Sequence, residues 1–133
     1  MKIKLVTYSL IIFLFIIRTS IAQNHENVNT WANFEQFKSA NEKLSELKNG
    51  EERVVFLGNS ITIGWEETNP IFFENKNYIN RGISGQTTPQ MLVRFYADVI
   101  DIGATTVVIL AGTNDIAGNT GHMSIDMILN NLK

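Results

Sequence analysis

At 133 residues the chain has room for one domain. Its formal charge of −2, from 11 Lys and Arg against 13 Asp and Glu, provides no basic face for nucleic acid. The absence of Cys excludes a disulfide framework, a thiolate metal site and a lipidated cysteine anchor.

The first element reads as a targeting segment. Lys2 and Lys4 precede the apolar run Leu10 to Ile17, and Ser20-Ile21-Ala22 puts small residues where a signal peptidase reads. The run falls short of the roughly 20 apolar residues a spanning helix needs. A cleaved signal over residues 1–22 is therefore expected rather than an uncleaved anchor, although Arg18 follows the apolar core closely. Cleavage would leave 111 residues, with eight Lys and Arg facing 13 Asp and Glu, a net charge of −5. The expected compartment is secreted or periplasmic, with no membrane span after signal removal. Without disulfides, such a domain depends on its hydrophobic core.

Residues 23–52 read as a polar leader followed by one helix. Trp31, Phe34, Phe37, Leu44 and Leu47 recur at helical spacing, Asn29 or Thr30 can cap the start, and Gly50 can end it. Val54 to Leu57, closed by Gly58, predicts a strand buried on both faces. Tyr78 to Asn80 is a weaker strand signal. Thr87-Thr88-Pro89 predicts a helix entry, with Leu92, Phe95, Val99 and Ile102 as its apolar face and Gly103 as its stop. Residues 105–111 (TTVVILA) give the clearest strand, and Ile125, Ile128, Leu129 and Leu132 predict a last amphipathic helix.

Helices alternating with apolar strands predict an α/β chain with a parallel sheet between helical layers. In such sheets ligands bind at the carboxyl ends of the strands. Here those ends are Gly58-Asn59-Ser60-Ile61-Thr62, Asn80-Arg81-Gly82-Ile83-Ser84-Gly85 and Ala111-Gly112-Thr113-Asn114-Asp115, which parallel strands bring to one rim. Ser60, two residues past a buried strand, fits a nucleophile turn and, on position alone, still better a helix cap. Asn114 is on position alone a cap or turn residue, and Gly85 a turn residue of positive φ.

Together, GNSIT at 58–62, NRGISGQTT at 80–88 and AGTNDIA at 111–117 resemble the first three sequence blocks of the SGNH/GDSL hydrolases, nearest the branch of platelet-activating-factor acetylhydrolase and the microbial acetyl esterases. The likeness covers residues 53–133. It implies a flavodoxin-like three-layer α/β/α sandwich and hydrolysis of carboxylic esters without metal or organic cofactor. Ser60 matches the nucleophile; its N–H, the Gly85 N–H and the Asn114 amide match the oxyanion-hole donors. Gly85, lacking a side chain, lets its N–H approach a substrate. Asn59 stands where many members have Asp, and Asp115 is expected to orient its loop. The implied partner is a small acyl ester on a carbohydrate or lipid.

The family's base is a His in an Asp-x-x-His block, which this chain does not contain. The resemblance thus implies an N-terminal part of the domain, with the base beyond residue 133. His25 falls in the leader, and His122 lacks an Asp three residues before it. Two other readings stay open. A non-catalytic secreted binding protein would keep the rim without the base. A nucleotide- or flavin-binding module would use the same rim, but residues 58–64 lack the Lys-Ser/Thr ending of a phosphate loop and no Gly-x-Gly-x-x-Gly occurs. Trp65, Phe72 and Phe73 could flank a groove or fill the core.

Overall fold

The computed structural model describes residues 27–133. The signal segment 1–22 and His25 lie outside the described residues. The chain divides into two units at Trp31, and the larger, residues 32–133, carries the sheet. Among the described residues no helix is long and apolar enough to cross a membrane.

Three parallel strands form the sheet: β1 (Val54–Gly58), β2 (Tyr78–Gly82) and β3 (Thr106–Leu110), in the order β2-β1-β3. Gly58 pairs with Gly82 on one side and with Leu110 on the other, so the three strands end level. The helices are α1 (Val28–Ala32), α2 (Glu35–Asn41), α3 (Ser60–Thr68), α4 (Thr88–Phe95), α5 (Thr113–Ile116) and α6 (Ile125–Asn131). A 3₁₀ turn at Pro70–Glu74 precedes β2, and a π turn at Tyr96–Ile100 continues α4.

The central strand β1 is covered on both faces, its alternate residues pointing opposite ways. Val55 and Leu57 join Ile79, Met91, Val99 and Ile102 in the core beneath α4 and its π turn. Phe56 points the other way, edge-on to Trp65, Phe72 and Phe73 with ring centroids 5.2 to 5.5 Å apart. Those three aromatics, with Tyr78, form the second layer's core and pin α3 and the 3₁₀ turn to the sheet. Edge-to-face pairs of this kind each contribute about 0.5–1.5 kcal/mol beyond the area they bury.

Three expectations from the sequence need correction, those on the N-terminal helix, on the apolar face of α4 and on that of α6. The single helix expected to run from Trp31 to Gly50 is two short ones, broken at Asn33, whose φ of 55° is left-handed, and finished at Asn41. Tertiary bonds take precedence over helical spacing here: the Asn41 side chain is drawn to Ala97 O and Asp98 Oδ1, and Ser45 O accepts from Arg53. In α4 the buried positions are Thr88, Met91 and Arg94, while Leu92 of the expected apolar face is half exposed. β3 is a strand, but Val108, Ile109 and Leu110 stay 44, 42 and 36% exposed, since no described strand pairs with its outer edge. In α6, for the same reason, only Ile128 is buried and Ile125, Leu129 and Leu132 are exposed.

Candidate active site

The level strand ends feed three turns on one rim, and hydrogen bonds tie the turns together. After β1, Asn59 caps α3: its Oδ1 accepts from Ile61 N at 3.0 Å. Its Nδ2 donates to Thr113 Oγ1 at 2.8 Å, across to the end of β3. Asn59 is 1% exposed, and its amide serves both bonds at once, the oxygen accepting and the nitrogen donating. Capping thus falls to Asn59 and not to Ser60. Ser60 is the first residue of α3, exposed, and its hydroxyl has no hydrogen-bond partner among the described residues. Its N–H is one of the orphan donors of a helix start.

After β2 the chain turns through Gly85, whose φ of +76° is a conformation that L side chains avoid. A Cβ here would meet nothing nearer than Asn119 Nδ2 at 3.7 Å, so backbone conformation rather than crowding within the chain requires Gly. Asn119 Nδ2 donates to Gly85 O at 2.9 Å, and the Gly85 N–H has no acceptor among the described residues. The next residue, Gln86, gives its carbonyl to Asn114 Nδ2 at 2.9 Å. That bond uses one of the two Asn114 amide hydrogens and leaves the other free to donate.

Asp115 is buried and accepts from Thr88 N at 2.9 and 3.0 Å and from Thr88 Oγ1 at 2.6 Å. The Thr88 hydroxyl in turn accepts from Asn131 of α6 at 2.9 Å. Asp115 therefore clamps the loop bearing Asn114 to the start of α4, itself closed by a capping box between Thr87 and Gln90. Asn59, Gly85, Asn114 and Asp115 are thus joined to one another's turns, with Ser60 between them in sequence and on the same rim. His122 is exposed in the loop before α6. Trp65, Phe72 and Phe73 belong to the aromatic layer described above. Among the described residues no cluster of His, Cys, Asp or Glu could hold a metal ion.

Beneath the rim lies a buried polar network that the sequence reading did not single out. Arg94 is fully buried and reaches Asp98 Oδ2 at 2.9 Å, Gln86 Oε1 at 2.6 Å, Arg81 O at 2.8 Å and Gly58 O at 3.3 Å. Arg81 bonds Asn41 Oδ1, and the Phe37 ring lies 4.7 Å from its guanidinium carbon and 5.9 Å from that of Arg94. Burial pulls Arg81 down to about 10, outweighing the opposite pull of Asp98, and lowers Arg94 against its bond to Asp98. At about 10, Arg81 stays cationic near neutral pH. The signal in the sequence was a pair of opposite charges four apart, Arg94 and Asp98, on the same helical face as Met91 and Ile102.

No protein-family model matches the chain, and no curated protein matches it. Solved structures do. A candidate acylhydrolase from Bacteroides fragilis NCTC 9343 is 50% identical over 77% of this chain and 49% of its own, with a TM-score of 0.74. A GDSL-like lipase from Bacteroides thetaiotaomicron VPI-5482 is 48% identical over 76% of this chain and 49% of its own, with a TM-score of 0.73. This chain resembles the SGNH/GDSL hydrolases in both sequence and fold. It spans about half the length of these two structures. A protein described as a candidate platelet activating factor from Streptococcus pneumonia shares the fold, at 24% identity over 91% of this chain and 50% of its own, with a TM-score of 0.51. The shared parallel sheet with its helices is the fold of these neighbours.

Proposed function

We propose that the protein carrying this chain hydrolyses carboxylic esters through an acyl-enzyme formed on Ser60. The observation that carries the reading is the Ser60 hydroxyl itself: exposed, without a hydrogen-bond partner among the described residues, at a helix start on the rim where three strands end. Ser60 Oγ attacks the ester carbonyl carbon as a base takes its proton. The carbonyl oxygen becomes an oxyanion that accepts from the N–H groups of Ser60 and Gly85 and from the free hydrogen of Asn114 Nδ2. Collapse of this intermediate breaks the bond to the alcohol, which leaves with the proton, and water then releases the acid by the same steps. Donors fixed in advance at such a position are worth about 3 kcal/mol each. The base is the imidazole of the family's Asp-x-x-His block and is assigned to no residue of this chain. The substrate class is a small acyl ester, acetyl in the first instance, on a carbohydrate or lipid alcohol. The site asks for no metal or organic cofactor.

The test is turnover of p-nitrophenyl acetate by the full-length protein and by its Ser60→Ala variant. Loss of at least about 10³-fold in kcat is expected for the variant. Turnover undiminished in the variant would reject Ser60 as nucleophile.

A further inference from the structure

The buried cation beneath the rim has contacts that converge on the proposed oxyanion hole. Arg94 comes from α4, yet three of its four acceptors are on other segments. Gly58 O lies two residues before Ser60 and also accepts from Ile83 N at 3.0 Å, within the turn that leads to Gly85. Arg81 O belongs to the end of β2. Gln86 follows Gly85 directly, and while its side chain accepts from Arg94 Nε its carbonyl holds Asn114 Nδ2. Every proposed oxyanion donor is thus within two residues, or one hydrogen bond, of a group held by this guanidinium.

A fully buried cation is a poor way to gain stability, because desolvation cancels much of what the ion pair to Asp98 returns. An apolar side chain would fill the same helix position at less cost. What it could not do is reach several carbonyls in fixed directions, which the planar guanidinium fork does. We propose that Arg94, acting through Gln86 and the ends of β1 and β2, is the positioning residue that holds the Ser60, Gly85 and Asn114 donors in catalytic register. This rests on the esterase reading above. Arg94 touches no substrate, and its effect is on geometry. Displacements of about 1 Å at such a site cost on the order of 10²-fold in rate.

Three variants of the full-length protein test this, with kcat and KM for p-nitrophenyl acetate measured below each variant's melting temperature. Arg94→Lys keeps a charge beside Asp98 but cannot span the acceptors, and kcat is expected to fall about 10²-fold with KM within about 3-fold of wild type. Gln86→Ala, which leaves the ion pair in place and serves if Arg94→Lys does not fold, is expected to lower kcat about 10-fold or more. Gln86→Glu keeps an acceptor for Arg94 Nε but gives up the bond from the Gln86 amide to Ala32 O, and should recover part of that loss. Unchanged kcat in folded Arg94→Lys and Gln86→Ala, with only the melting temperature lowered, would overturn the positioning role while leaving the esterase reading intact. Absence of Ser60-dependent turnover in the wild type would overturn both.

Discussion

Asn59 donates its side-chain amide to Thr113 Oγ1 at 2.8 Å and so joins the end of β1 to the end of β3. Thr113→Val removes the acceptor and leaves a buried N–H unsatisfied, at a cost of about 1–3 kcal/mol. Asn59→Asp, the residue of many family members, can accept from both Ile61 N and the Thr113 hydroxyl and should cost less. Urea unfolding of the two variants checks the order, and a Thr113→Val variant as stable as wild type would contradict it.

Gly82 lies where α3 meets the end of β2. A Cβ there would come within 2.9 Å of both Asn59 O and Ile63 N, backbone atoms that cannot swing aside. Gly82→Ala is therefore expected to destabilise by about 1–3 kcal/mol, as overpacking does, and to shift the start of α3 that bears Ser60. Gly64, in the interior of the same helix with nothing within 4 Å of its Cβ position, is the contrasting site. Its replacement by Ala should stabilise by about 0.5–1 kcal/mol. Thermal melts of both variants decide, and equal effects would contradict the close approach.

Asp115 accepts three hydrogen bonds from Thr88 in a buried setting. Asp115→Ala strands the Thr88 N–H and frees the Asn114 loop, and a loss of at least about 2 kcal/mol is expected from charged hydrogen bonds of this kind. Denaturant midpoints measure it. A loss below about 0.5 kcal/mol would show that the clamp does not hold the loop.

The outer edge of β3 exposes Val108, Ile109 and Leu110 and pairs with no described strand. An apolar open edge is a template for association. Residues 32–133 expressed alone should self-associate, and Val108→Lys should reduce that. Light scattering against concentration tests it, and a monodisperse monomer at high concentration would contradict it.

The sequence disclosed the fold where the local pattern and the tertiary structure agree. Val54 to Gly58 is apolar enough to be buried on both faces, and it is the central strand. Thr87 to Gln90 holds its whole capping box within four residues. The three rim segments were legible because strand order alone places them together. The end of α2 at Asn41 was not legible, because the Asn41 side chain bonds Asp98 and Arg81, 57 and 40 residues away. The Arg94 network was hidden for a similar reason: a charge on an amphipathic helix is read by default as solvated, and its carbonyl acceptors leave no mark in the side-chain pattern. On position alone Ser60 could also have capped α3, yet Asn59 does so, while its amide nitrogen bonds Thr113.

The most direct measurement of the central claim is covalent labelling of the full-length protein with a fluorophosphonate, read by intact mass and peptide mapping. One adduct per chain is expected, on Ser60, with hydrolysis of p-nitrophenyl acetate lost in proportion to labelling. An adduct on another residue with turnover lost, or full turnover after Ser60 is labelled, would contradict it.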